Sequence, residues 1–168
     1  MKTIFVFTGP ESAGKTTLSR QLAEELGLPW VPEFARSYLE NKTHGYSPQD
    51  LDYIAVNQRR MEQDTAGQHI ICDTDLLTLY IWKREVFHEE DPALLQPLTE
   101  HNRHYLVCKP NIPWVPDPLR ENQYDRDRLF ENYVSTIEKL KIPFALLDNL
   151  DYCNRYQQGW TYIQSKMK

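Results

Sequence analysis

Gly9-Pro10-Glu11-Ser12-Ala13-Gly14-Lys15-Thr16 places two glycines, a lysine and a hydroxyl in the spacing G-x-x-x-x-G-K-[ST]. In a glycine-rich turn that opens a helix, main-chain N–H groups and the positive helix end converge on one point and bind an anion of phosphate size. Gly9 and Gly14 allow positive φ and close approach, Lys15 brings charge to outer phosphates, and the Thr16 hydroxyl can ligate magnesium. Glu11, Ser12, Ala13 and Thr17 complete the expected phosphate-binding set. Carboxylates supply the second kind of chemistry. Asp73 ends an apolar run, from which it can reach a metal ion or cap a helix, and we read it as serving magnesium or nucleophile activation. Asp75 has two readings, a contact to a substrate hydroxyl or a helix cap. Glu33 is either a substrate-orienting acid or a first-turn acid complementing the helix dipole, and the first is preferred. Arg36, one turn on, faces either the same cleft or solvent.

These residues need elements to hold them. Thr3-Ile4-Phe5-Val6-Phe7 reads as a buried strand and Lys15 to Leu26 as an amphipathic helix stopped by Gly27. Leu28 to Pro32 is a short strand candidate, and a helical pattern resumes at Glu33. Ser47-Pro48-Gln49-Asp50 combines a cap, a first-turn proline and an acid, opening a helix with Leu51, Ile54, Ala55, Gln58 and Met61 on one face. Gln68 to Cys72 is a strand running into Asp73-Thr74-Asp75, and a helix is expected over Leu76 to Arg84 with Leu77, Tyr80 and Trp82 packing. His104 to Cys108 is the fourth strand, Leu129 to Leu140 a helix, Phe144 to Leu147 the fifth strand, and Asp151 to Met167 a last helix. Alternating strands and helices with short connections imply a parallel sheet covered on both faces, with its ligand site at the carboxyl ends of the strands.

One stretch resists this pattern. Residues 109–127 carry Pro110, Pro113, Pro116 and Pro118 without helical or strand period, which predicts a functional loop or lid. It holds Arg120 and Arg126, with Arg128 just beyond. Guanidinium groups closing over phosphates would stabilise transferred charge and exclude water, and Arg120 and Arg128 are the preferred pair. Trp114 and Tyr124 in the same loop either stack on a flat ring or pack the lid onto the domain.

The chain has 168 residues and a formal net charge of −5, which predicts one domain over 1–168 and argues against a nucleic-acid backbone as main partner. Cys72, Cys108 and Cys153 lack C-x-x-C spacing and read as reduced. The five histidines show no zinc pattern. A strand that starts after Met1 and Lys2 leaves no room for a signal peptide, and no apolar stretch reaches membrane-spanning length, so a cytoplasmic protein without membrane partners is expected.

With these pieces placed, the chain resembles the kinase domain of the NadR-type family. The likeness rests on Gly9 to Leu18, on Val31-Pro32-Glu33-Phe34-Ala35-Arg36, on Ile71-Cys72-Asp73-Thr74-Asp75, and on Pro113-Trp114-Val115-Pro116-Asp117 followed by Arg120. It implies an α/β, P-loop kinase-like three-layer sandwich with about five parallel strands and a lid. It also implies ATP and Mg2+ as cofactors and nicotinamide riboside as acceptor, phosphorylated at its 5′-hydroxyl to nicotinamide mononucleotide. By that similarity Lys15 and Thr16 serve ATP and magnesium, Asp73 the catalytic centre, and Glu33, Asp75 and Trp114 the nucleoside. Rival expectations are a kinase for another nucleoside or small metabolite, and a module that binds ATP and transfers nothing. A GTPase-type switch is disfavoured because Lys109-Pro110-Asn111 stands where an N-K-x-D sequence belongs.

Overall fold

The computed structural model describes residues 1–167. Its centre is the first strand, β1 (Thr3–Thr8), buried along its whole length. The two-residue alternation of a strand sends Ile4 and Val6 into one layer and Phe5 and Phe7 into the other. That apolar character on both faces is what a parallel central strand requires. Four more strands join it, β2 (Trp30–Val31), β3 (His69–Asp73), β4 (Asn102–Cys108) and β5 (Phe144–Leu147), in the order β2-β3-β1-β4-β5, all pairs parallel. The expected three-layer α/β sandwich around a five-stranded parallel sheet is therefore what the chain adopts.

Helices α1 (Lys15–Leu26) and α6 (Tyr152–Lys166) cover one face, where Leu18, Leu22, Tyr156 and Ile163 meet Phe5, Phe7, Leu106 and Leu147. The other face is covered by α2 (Phe34–Leu39), α3 (Pro48–Asp64), α4 (Leu76–Phe87) and α5 (Arg126–Leu140), which bury Ala35, Ile54, Leu77, Ile81, Phe130 and Ile137. Helix α3 starts with a full capping box: the Ser47 hydroxyl accepts from the Asp50 N–H and Asp50 accepts from the Ser47 N–H. Two short 3-10 turns, at Pro92–Leu94 and Gln96–Thr99, lead from α4 into β4.

Most element boundaries fall within two or three residues of the expectations. The lid is shorter at its end than read, because α5 already begins at Arg126, so the irregular segment runs from 109 to 125. Among the described residues no helix is long and apolar enough to cross a membrane.

Candidate functional site

The register of β1 and β3 sets the geometry. Phe7 pairs with Asp73, so Asp73 leaves the sheet beside the point where β1 runs into the glycine turn. Thr74 N–H then donates to the Phe7 carbonyl at 3.0 Å, and Thr74 is held at φ 66, a left-handed conformation that costs a β-branched residue energy. Gly9 is at φ 128, and a Cβ there would stand 2.6 Å from the Cys108 carbonyl oxygen, so only glycine fits this crossing of β1 over the end of β4. Gly14, at φ 85, is the left-handed residue from which α1 starts. No acid occupies the first turn of α1, so the positive end of its dipole is left for a ligand.

Lys15 reaches back along the turn and its Nζ donates to the Pro10 carbonyl at 2.6 Å. Thr16 Oγ1 donates to Asp73 Oδ2 at 2.6 Å. Asp73 is 1 % exposed, and its other oxygen, Oδ1, is buried without a hydrogen-bond partner among the described residues. An orphaned carboxylate oxygen beside a threonine hydroxyl, at the mouth of a phosphate turn, fits Mg2+, which takes hard oxygen ligands and keeps one or two from protein. Burial raises the Asp73 pKa, opposed by the Thr16 hydrogen bond and the Lys15 charge.

Glu33 stands at the carboxyl end of β2, just ahead of α2, and lines the same cleft as the turn. Desolvation pushes its pKa up to about 7, Asp73 adds to the rise, and Lys15 and Arg36 oppose it. The backbone on either side of Glu33 is gripped by Gln58, which is 3 % exposed: Phe34 N–H donates to Gln58 Oε1 at 2.7 Å, and Gln58 Nε2 donates to the Pro32 carbonyl at 3.2 Å. Sequence reasoning placed Gln58 only on the packing face of α3. A buried glutamine there was the available signal, since a buried amide must find partners.

The cleft has a volume of about 190 Å³. It is lined by the turn, Glu33 and Arg36 and by an apolar set, Ile81, Trp82, Val86, Leu119, Leu129 and Tyr133. Trp82, expected only to pack, is half-buried in that set; its Nε1 donates to the Tyr46 hydroxyl at 2.8 Å, and that hydroxyl donates to Glu121 of the lid at 3.1 Å. The lid is docked on the turn. Glu121 and Asn122 N–H groups donate to the Glu11 carboxylate at distances from 2.8 to 3.2 Å, and the Val115 N–H donates to Ser12 Oγ at 2.9 Å. Arg36 pairs with Asp117 at 2.7 Å and ties the lid to α2.

Besides Asp73, which meets the cleft only through its bond to Thr16, three expected site residues do not line it. Asp75 is 1 % exposed; Oδ1 accepts from Leu77 N–H as the cap of α4, while Oδ2 accepts from Arg103 at 2.7 Å and from the Tyr105 hydroxyl at 2.8 Å. Both oxygens are engaged inside the core, so the cap reading holds and the substrate reading is corrected. Arg128 is exposed, does not line the cleft, and is bonded to Glu85 and Asp125. The lid-end arginine that reaches the turn is Arg126, which donates to the Ser12 and Ile112 carbonyls, both at 3.1 Å. Two residues along a helix rotate a side chain by about 200°, so the early start of α5 sends Arg126 and Arg128 to opposite sides. Trp114 packs under the Arg126 guanidinium, 5.5 Å from ring centre, and is not on the cleft wall. Tyr124 is 95 % exposed. Arg120 does line the cleft, and its guanidinium donates to the Val115 carbonyl.

A family model described as AAA domain, AAA_28, matches residues 4–155. The chain belongs to the AAA_28 family. A relative from Thermococcus kodakarensis named "Putative adenylate kinase" is 26 % identical over 148 residues, covering 87 % of this chain and 71 % of its own. Among solved structures, NadR protein in complex with NR and in complex with NAD and AMP-PNP superposes with TM-scores of 0.75 and 0.76 at 20 % identity. These alignments cover 98 % of this chain and 49 % of NadR, so the AAA_28 chain spans about half the length of those proteins. Thymidylate kinase from Ehrlichia chaffeensis matches end to end, covering 100 % of both chains, with a TM-score of 0.63 at 14 % identity. The fold is that of nucleoside and nucleotide kinases.

Proposed function

We propose that this protein transfers the γ-phosphoryl group of ATP to the 5′-hydroxyl of a ribonucleoside, with nicotinamide riboside the preferred acceptor. The observation that carries the reading is one cleft lined by both the glycine turn and the Glu33 carboxyl, with the buried Asp73 bonded to Thr16 of that turn and keeping its other oxygen without a partner among the described residues. Phosphoryl transfer asks a protein mainly for in-line positioning and charge stabilisation. Main-chain N–H groups of Gly9 and of residues 11 to 17, with the Lys15 ammonium, hold the triphosphate. Thr16 and Asp73 would hold Mg2+, which when bound neutralises charge on the phosphate oxygens. Glu33 accepts the proton of the acceptor hydroxyl as its oxygen bonds to phosphorus, and ADP departs as the leaving group. A carboxyl with a pKa about 7 is suited to that exchange near neutral pH. Arg120 stands at the cleft to face the migrating group, and the lid over Glu11 keeps water out.

The same carboxylates favour a nucleoside over a nucleoside monophosphate as acceptor. A phosphate on the acceptor would meet Glu33, while Arg36 is already paired with Asp117. The likeness in fold to NadR in complex with NR, and the four sequence blocks on which the resemblance to the NadR-type family rests, support nicotinamide riboside in particular. The test is a panel of acceptors with labelled ATP: nicotinamide riboside, adenosine, uridine, a deoxynucleoside and AMP. Label transferred fastest to nicotinamide riboside supports the reading. Better turnover of AMP would move the protein to the monophosphate kinases, and ADP release that ignores every acceptor would make it a nucleotide-binding module.

A further inference from the structure

Two arginines of this chain are almost wholly buried, and they are treated differently. Arg103, 3 % exposed, is neutralised by Glu62 and Asp75. Arg155, 2 % exposed, sits in the first turn of α6 on the other face of the sheet, and no carboxylate oxygen lies within 4.0 Å of it among the described residues. All its partners are neutral oxygens. Nε donates to the Asn149 carbonyl at 2.8 Å, Nη1 to the carbonyls of Ala13 and Lys109 at 3.2 and 3.1 Å, and Nη2 to Asn111 Oδ1. Asp148, whose charge acts on Arg155 without bonding it, is itself bonded to Gln158. A charge taken out of water without a counterion is expensive, and its retention at one place calls for an anion from elsewhere.

We propose that Arg155 is a positioning and electrostatic residue of the nucleotide site, a concealed cation whose missing counterion is the polyphosphate of the bound nucleotide. It does not touch the ligand; it acts through the Ala13–Gly14 peptide. The guanidinium bonds the Ala13 carbonyl, and the N–H at the other end of that peptide unit belongs to Gly14, in the turn. A charge-assisted bond to the carbonyl polarises the whole unit and makes its N–H a stronger donor toward an anion. At the same time Arg155 staples three loops of the same sheet edge: the phosphate turn, the start of the lid at Lys109 to Asn111, and the β5–α6 connection at Asn149. Burial without a counterion lowers its pKa, in keeping with a charge the fold alone does not compensate. Arg126, on the adjacent Ser12 carbonyl, extends the same device to the preceding peptide from the lid side.

This inference rests on the reading of residues 9 to 16 as a triphosphate site, and the experiment keeps the two apart. Affinities for tripolyphosphate, ATP and adenosine are measured by calorimetry on the full chain, with Arg155→Gln, which keeps donors and loses charge, and Arg155→Lys, which keeps charge and loses donors. The wild type failing to bind tripolyphosphate would sink the site itself. With the site intact, the Gln variant is expected to lose about tenfold in tripolyphosphate and ATP affinity. The Lys variant is expected to stay within about threefold, and adenosine to bind all three alike. Equal losses in both variants, no loss in either, or a loss that extends to adenosine would make Arg155 a structural staple only. Should Arg155→Gln not fold, the Lys variant decides by its thermal shift with tripolyphosphate: a shift near that of wild type upholds the proposal, and its disappearance overturns it.

Discussion

Lys15, Asp73 and Glu33 have separable duties, and each makes a distinct forecast. Among the described residues the Lys15 ammonium bonds only the Pro10 carbonyl, so Lys15→Ala should cost little stability while lowering kcat/KM for ATP by about a hundredfold or more, the usual loss for an electrostatic group at the migrating charge. Asp73→Asn should cut kcat by a similar factor and leave ATP affinity within a few-fold, because the change removes charge from Oδ1 and keeps the shape. Glu33 has its acid form favoured in the fold. Between pH 4.5 and about 7 the native chain holds a proton there that the unfolded chain has released, so this group's contribution to stability is full below pH 4.5 and is lost as pH rises through 7. Glu33→Gln should therefore match the wild type in thermal melts at pH 4.5 and exceed it above pH 7, by on the order of 2 kcal/mol. Its activity should be low and lack the rise with pH near 7 that the wild type shows. These three residues were readable from sequence because each sits at the end of an apolar strand or inside a spaced motif. Asp75 was equally visible, yet which way it turned depended on Arg103 and Tyr105, both from β4 and far away in the chain.

Helix α3 and the lid position the site from opposite sides. Gln58 of α3 clamps the backbone that carries Glu33, so Gln58→Leu should lower kcat by about tenfold with a smaller change in the KM for ATP, and circular dichroism should show the helices intact. The lid is held by main-chain donors on Glu11 and by the half-exposed Arg36–Asp117 pair, contacts that contribute little to global stability. Glu11→Ala should shift the melting temperature by no more than about 4 °C while proteases cut between residues 113 and 124 several-fold faster. Proline spacing announced the lid, but not which arginine it commits. That choice followed from α5 starting at Arg126, a boundary that periodicity alone sets only loosely. Trp82 and Tyr133 were missed as cleft residues for a related reason. The cleft interrupts an ordinary helix-to-helix interface, so wall and core share one hydrophobic pattern.

Across the molecule, the sheet divides two tasks. The β3–β4–α3 side holds the Arg103–Glu62–Asp75 cluster, which locks the start of α4 to the sheet, whereas the α6 side holds Arg155 behind the phosphate turn. Arg103→Met would leave two buried carboxylates without a counter-charge, and urea titration should show a loss of about 3–5 kcal/mol. The strand order and both helical layers were legible because β1, β3 and β4 each have an unbroken apolar stretch and the intervening helices carry clear stops, as Gly27 does for α1. Buried charge was not legible, since arginine and glutamate in a sequence look the same whether they meet in the core or in water. One rim of the sheet must serve both donor and acceptor for transfer to occur. Following ATP and nicotinamide riboside together by phosphorus NMR should show one 5′-phosphate ester formed for each ADP, with both signals lost in Lys15→Ala. ADP and inorganic phosphate without an ester, or an ester formed equally fast by that variant, would contradict it.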